Sequence, residues 1–358
     1  MSTGFHSLTI SEVRREIADA VSLRLDVPLE LEGAFRFTPG QHLTLRADIG
    51  GEDVRRNYSI CAAPHEGELR VAIKQIAGGL FSSWANSNLS AGQTIDVMPP
   101  HGSFTWSFEP SQTRTYAGFA GGSGITPVLS LLKTALSVEP ESRFVLFYGN
   151  RATNSVMFLE EIAALKDRFM GRLQVYHFLE DEEGDFDIFN GRLDAGKIAE
   201  VLGSLLDPAD IDAAFICGPG PMMDAVETGL KSAGVFQDRI LIERFTVGAM
   251  SEAQLAAARE LEQKAAGKPV KITINGRRRT LAFDADKGSI LENARAAGLP
   301  APFACKAGVC ATCRAKVISG EVTMKQNFGL SADEVSQGYA LTCQAVPVSD
   351  DVELDFDA

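Results

Sequence analysis

Four of the six cysteines crowd into the last sixth of this 358-residue chain, and their spacing limits what the chain can fold into more than any other feature. Cys305 and Cys310 are separated by four residues, Cys310 and Cys313 by two, and Cys343 follows after another 29. One tight loop must therefore present three thiols to a fourth that arrives from a distant segment. That is the spacing that surrounds two irons and two sulfides. Gly308 lets the backbone pass close to the inorganic sulfides, and small Ala304, Ala307 and Ala311 leave N–H groups free to donate to sulfur. The competing reading is structural zinc, because a single Cys-x2-Cys pair is common, but zinc ribbons use two short pairs and the second is missing here. No histidine joins the set, which excludes a Rieske centre. Cys61 and Cys217 stand alone, so a secreted disulfide framework does not fit either.

The chain is longer than one ordinary core supports and suits two or three domains. Hydrophobic residues make up 45% and charged residues 23%, which supplies apolar material for those cores. Lys and Arg number 34 against 47 Asp and Glu, a formal charge of −13, and such an acidic balance argues against nucleic acid as a partner. No apolar run approaches the ~18 residues of a membrane span, and the first twenty residues lack an apolar signal core. A cytoplasmic protein is expected.

Residues 1–110 read as short strands punctuated by Pro39-Gly40, Gly50-Gly51, Gly78-Gly79 and Pro99-Pro100, the rhythm of a small antiparallel barrel. Residues 111–248 alternate apolar strands with longer helical patterns, as a parallel sheet covered by helices requires. Residues 249–268 are rich in Ala, Glu, Gln and Lys without a sustained apolar stripe, and read as a partly helical linker. Residues 269–358 open on a hairpin with Asn275-Gly276 at its turn, and hold all four clustered cysteines.

Gly122-Ser123-Gly124-Ile125-Thr126-Pro127 follows the apolar strand 116–120 and opens a helix. Backbone N–H groups there, with the helix dipole, can bind a pyrophosphate. An NAD site commonly puts an acid at the end of the next strand to hold the ribose 2′-hydroxyl. Here that strand ends Tyr148-Gly149-Asn150-Arg151. Arg151 would welcome a 2′-phosphate, so NADPH is expected over NADH, against the alternative that a strand-end arginine is simply solvated.

Arg56-Asn57-Tyr58-Ser59, Gly79-Leu80-Phe81-Ser82, the Gly-x-Gly-x-x-Pro loop and Cys217-Gly218-Pro219, in that order, resemble the ferredoxin–NADP reductase superfamily over residues 5–245. The remainder resembles a plant-type [2Fe-2S] ferredoxin. This order is that of reductase components of multicomponent oxygenases, and segments 306–317 and 338–344 are similar to those of the reductases that serve phenylacetyl-CoA epoxidases. The resemblance implies an antiparallel β-barrel binding FAD, an α/β parallel-sheet domain binding NADP, and an α+β, β-grasp-like ferredoxin domain.

It also implies roles. Arg56 would neutralise the FAD pyrophosphate by a bidentate contact. Tyr58 would lie against the isoalloxazine, and Ser59 would hydrogen-bond near flavin N5. Asn57, Lys74, and the backbone of Gly79, Leu80, Phe81 and Ser82 complete the flavin site. Gly122, Gly124, Thr126, Arg151, Cys217, Gly218 and Pro219 would hold the nucleotide, with Cys217 by the nicotinamide. Glu243 and Phe245 would form the closing segment, Phe245 covering the flavin. Ser59, Cys217 and Glu243 would be catalytic, and Cys305, Cys310, Cys313 and Cys343 would ligate the cluster. Two electrons from NADPH would pass through FAD to the cluster and on to the oxygenase component of a multisubunit monooxygenase, in transient contact. A reductase for another hydroxylase, or a protein that senses redox state for a regulatory partner, would carry the same motifs.

Overall fold

The computed structural model describes residues 4–245 and 252–358. Its contacts divide the chain into two compact units, Met1–Val54 with Tyr58–Arg244 and Arg55–Asn57 with Phe245–Ala358.

The first unit opens on six antiparallel strands: β1 (His6–Ile17), β2 (Ala20–Asp26), β3 (His42–Ile49), β4 (Glu52–Ser59), β5 (Leu69–Lys74) and β6 (Thr94–Val97), ordered β4-β3-β6-β1-β2-β5. A bridge from Ile60 to Val71 joins the two ends of that order and closes the barrel. Leu8, Ile10, Leu23, Val71, Ile73 and Val97 fill it from inward positions. β4 begins at Glu52 because the Gly50-Gly51 turn, positive in φ at both residues, feeds straight into it. A helix the sequence pattern had not separated from its motif, α1 (Leu80–Asn88), seals one side through Phe81 and Ala85.

Five parallel strands follow: β7 (Thr115–Gly121), β8 (Arg143–Asn150), β9 (Leu173–Leu179), β10 (Ala213–Cys217) and β11 (Ile240–Glu243), in the order β11-β10-β7-β8-β9. Helices α2 (Ile125–Val138), α3 (Leu159–Arg168), α4 (Ala195–Val201) and α5 (Gly220–Ser232) supply the crossovers. β7 and β10 are buried at every residue, as strands covered on both faces must be. Glu139, wholly buried, accepts hydrogen bonds from the Tyr116 hydroxyl at 2.9 Å, Ser142 at 2.6 Å and the Glu109 N–H at 3.0 Å, which offsets the cost of burying its carboxylate.

The second unit begins with α6 (Glu252–Ala265). The strands after it are β12 (Pro269–Ile274), β13 (Arg277–Ala282), β14 (Arg314–Ser319), β15 (Val322–Met324), β16 (Tyr339–Leu341), β17 (Ala345–Pro347) and β18 (Val352–Asp355). Five of them form a sheet ordered β13-β12-β18-β14-β16, while β15 and β17 pair as a small ribbon. Helices α7 (Ile290–Ala296) and α8 (Ala332–Ser336) complete the β-grasp arrangement. Asn275 and Gly276 both take positive φ in the β12–β13 turn, and the Asp357 carboxylate accepts from both of their N–H groups at 2.8 Å. The stretch expected as a linker is largely α6, and it packs: Leu261 and Ala265 lie against the ferredoxin core, and Glu262 pairs with Lys325 at 2.6 Å. Among the described residues no helix is long and apolar enough to cross a membrane.

Candidate functional site: a nucleotide crevice, a flavin strand and a four-cysteine loop

β7 is the central strand from which chain order runs one way to β8 and β9 and the other way to β10 and β11. Open α/β sheets bind ligands at such a reversal, outside the carboxyl ends of the strands. Register puts Ala120 of β7 beside Cys217 of β10 and Tyr148 of β8, and Cys217 beside Glu243 of β11, so the expected nicotinamide residues end in one row. The two glycines of the loop divide the work. Gly124 has no room for a side chain, since a Cβ would stand 2.1 Å from the Cys217 carbonyl oxygen, whereas Gly122 has φ +52° and open space around it. Gly124 locks the loop to β10, and Gly122 leaves it open to a ligand. Gly218 is pinned between Met222 and Gly121, and Pro219 caps α5 with no side-chain hydrogen bond. The Thr126 hydroxyl donates to the Ser123 carbonyl at 3.0 Å, so that side chain tightens the loop and only its backbone faces outward duties.

Cys217 is 0% exposed, and burial, with the negative Glu243 beside it, pushes its thiol well up. It is a neutral, shape-setting group and no nucleophile at ordinary pH. Arg151 follows β8 directly and is exposed. A neighbour the sequence had not suggested is Glu182, whose carboxylate accepts from the Thr153 N–H at 2.8 Å and its hydroxyl at 2.6 Å.

The barrel's contribution is β4. Alternation places Arg56 and Tyr58 on one face of the strand, with Arg56 exposed, Tyr58 partly buried and Ser59 buried at the strand's end. The Tyr58 ring rests on Phe81, centroids 5.6 Å apart, which fixes its plane. Phe81 itself is core, so its side chain supports Tyr58 and only its N–H is available to a ligand. Ser82 likewise uses its hydroxyl within the turn, accepting from the Ile76 N–H at 3.1 Å. Gly79 permits that turn, and Leu80 starts the helix exposed. Lys74 ends β5, partly buried. α1, α2 and α5 all begin without a side-chain cap, whereas Asp194, Ser289 and Ser331 cap α4, α7 and α8. α3 also lacks one, but it carries Glu160 and Glu161 in its first turn. Uncapped N-termini at α1 and α2 leave N–H groups for phosphate oxygens, which fits FAD and a dinucleotide. Phe245 is 40% exposed and adjoins residues 246–251, which lie outside the described residues.

In the ferredoxin domain the four thiols meet in two pairs. Cys305 is coupled electrostatically to Cys310, and Cys313 to Cys343. The Cys310 thiol, helped by the N–H groups of Ala307, Val309 and Cys310, holds Cys305 down to about 6, while Cys310 and Cys313, paired and buried, are pushed well up. Loop winding aims those amides: Lys306, Gly308 and Ala311 all have positive φ, and the Ala307 N–H lies 3.3 Å from the Cys305 sulfur. Positive φ at Lys306 and Ala311 is strain that only a purpose at the loop's interior explains. Gln344 anchors the segment of Cys343 by donating to the Lys306 carbonyl at 2.9 Å. Among the described residues no three His, Cys, Asp or Glu side chains converge on a single metal. Four thiols without carboxylate or imidazole would suit a two-iron cluster, which Cys305, Cys310, Cys313 and Cys343 would hold, better than one zinc.

Comparison with known proteins follows the same division. Residues 7–106 match the oxidoreductase FAD-binding domain, 119–228 the oxidoreductase NAD-binding domain and 272–348 the 2Fe-2S iron-sulfur cluster binding domain. The chain is 44% identical over 356 residues to one of the subunits of the 1,2-phenylacetyl-CoA epoxidase of Escherichia coli (strain K12), covering 99% of both proteins. It is 35% identical over 354 residues to the ferredoxin reductase component of 3-ketosteroid-9-alpha-monooxygenase from Rhodococcus rhodochrous, covering 98% of this chain and 96% of that one. Phthalate dioxygenase reductase shares the fold at a TM-score of 0.59 and 24% identity, covering 99% of this chain and 98% of that one. With three domains matched in order along almost its full length, the chain belongs to the family of oxidoreductases that serve as reductase components of oxygenases, carrying FAD-binding, NAD-binding and 2Fe-2S domains.

Proposed function

We propose that this reductase takes hydride from NADPH and delivers single electrons, in transient contact, to the oxygenase component of a phenylacetyl-CoA epoxidase. The observation that carries the reading is the relation to the Escherichia coli epoxidase protein, which runs over nearly the full length of both chains. When bound, FAD accepts the two electrons of the hydride and the two-iron cluster passes them on one at a time. The chain's own residues bind and orient. Arg56 neutralises the flavin pyrophosphate, Tyr58 supplies the ring platform, and Ser59 hydrogen-bonds at the flavin edge that receives hydride. Open amides around Gly122 hold the coenzyme's pyrophosphate, and Cys217, a neutral buried thiol, sets the nicotinamide's depth in the crevice. Arg151 pairs with the 2′-phosphate, which favours NADPH over NADH. Cys305 with Cys310, and Cys313 with Cys343, hold the cluster. Hydride transfer needs orientation more than a general base, so no titrating residue is required in the crevice. Reduced thiols and a reduced coenzyme argue for a cytoplasmic reaction.

Reconstitution tests the partner. Mixed with NADPH and the oxygenase subunits of a phenylacetyl-CoA epoxidase, the reductase should support epoxide formation coupled to NADPH oxidation. Coupled turnover with the oxygenase of a 3-ketosteroid monooxygenase and none with the epoxidase would overturn the partner assignment.

A further inference from the structure

Lys133 sits near the C-terminal end of α2, the helix whose other end is the nucleotide loop, and is only 4% exposed. Its ammonium contacts Glu66 at 2.7 Å and Glu161 of α3 at 2.9 Å. The same Glu66 oxygen accepts from the Ala63 N–H at 2.7 Å. One turn earlier on α2, the buried Ser130 hydroxyl donates to the Ala62 carbonyl at 2.6 Å. Two side chains of one helix therefore grip residues 62–66, the segment that leaves β4 three residues after Ser59. None of these groups is among the expected coenzyme or flavin residues.

A buried cation between two carboxylates is a poor route to stability alone, because desolvation cancels much of the attraction. What such a contact does supply is register. Apolar surfaces slide with little penalty, whereas a charge-assisted contact with fixed partners does not. Here the register fixed is that of α2, with the nucleotide loop at its head, against the strand that carries Tyr58 and Ser59.

We infer that Lys133, assisted by Ser130, is a positioning residue that sets the separation of nicotinamide and flavin by clamping α2 to residues 62–66. This rests on the reading of the chain as a coenzyme-to-flavin reductase. Misplacing reactants by about 1 Å slows a transfer roughly 100-fold without abolishing binding, so the clamp acts on the hydride step and not on coenzyme affinity.

The test uses the anaerobic holoenzyme. K133M should slow flavin reduction at saturating NADPH roughly 10- to 100-fold, keep KM for NADPH within about 3-fold, and weaken the long-wavelength charge-transfer absorbance that reports nicotinamide stacked on flavin. K133R should restore most of both the rate and the absorbance. K133M that keeps its FAD, reduces at the wild-type rate and shows an unchanged charge-transfer band would overturn the clamp, whatever its melting temperature. Should K133M lose flavin, E66Q serves: it loosens only the barrel side, and should lower rate and band together, while wild-type behaviour in both would equally overturn the proposal. Wild-type enzyme that neither NADPH nor NADH reduces would overturn the reductase reading and the clamp with it.

Discussion

Cys310 is coupled to Cys305 on a loop wound by positive φ at Lys306, Gly308 and Ala311, in a different compact unit from the nucleotide crevice. Cys310→Ser should therefore abolish electron delivery to one-electron protein acceptors while stopped-flow reduction of the flavin by NADPH stays within about 2-fold of wild type. Collapse of flavin reduction in folded, FAD-loaded variant would contradict this separation. In the proposed function Arg151 is the residue that would set the coenzyme preference. A charge-assisted contact contributes ~1.5 to 3 kcal/mol, so Arg151→Ala should lower kcat/KM for NADPH roughly 10- to 100-fold and change NADH little. Equal loss for both coenzymes would mean that Arg151 supports the loop or a shared phosphate. The 2Fe-2S domain was legible because thiol spacing is itself the constraint. Lys133 was not, since a lysine on an amphipathic helix reads as solvated until residues 62–66 are seen to cover it. Phe81 and Ser82 were named from their motif for their backbone, and what the sequence did not show is where their side chains go: Phe81 into the barrel core and Ser82 into the turn at Ile76.

Strand and helix order was readable wherever hydrophobic period was clean, as in the alternation over residues 111–248 that includes the wholly buried strand β10. It failed where short polar residues carry the structure. α1, Leu80–Asn88, holds three serines and asparagines enough to look like a loop, and its packing depends on just Phe81 and Ala85 besides Ser82. Gly124 shows what an element boundary can hide: the glycine expected to face phosphate is needed for packing. Gly124→Ala should push the loop off β10, lowering stability and raising KM for NADPH ~10-fold or more, while Gly122→Ala, which meets nothing in the fold, should cost stability only the ~1 to 2 kcal/mol of a left-handed residue. Coenzyme titration and thermal melting of both variants would read this difference. A harmless Gly124→Ala would contradict the close approach.

At the scale of the whole molecule, charge is lopsided: residues 269–358 carry 10 Lys and Arg against 11 Asp and Glu, leaving 24 against 36 for the rest. A nearly neutral carrier tied to its own reductase needs little electrostatic steering toward it. Composition read residues 249–268 as a partly helical linker, but Leu261 and Ala265 of α6 pack on the ferredoxin core, a contact that a count of large apolar residues overlooks. Ala265, 1% exposed, tests it: Ala265→Asp would bury a carboxylate against the ferredoxin core, cost ~2 to 4 kcal/mol and lower the temperature of cluster loss, leaving the flavin transition in place. An unchanged cluster transition would return α6 to the role of a loose tether. The central claim is that one chain carries electrons from coenzyme through flavin to a two-iron cluster. Anaerobic mixing of analysed holoprotein with NADPH, followed by optical spectra of the flavin and electron paramagnetic resonance of freeze-quenched samples, tests it most directly. About two irons and two sulfides per chain, flavin reduction first and a cluster signal growing after it are the result this account predicts. One zinc without sulfide, or a cluster that stays oxidised beside a fully reduced flavin, would contradict it.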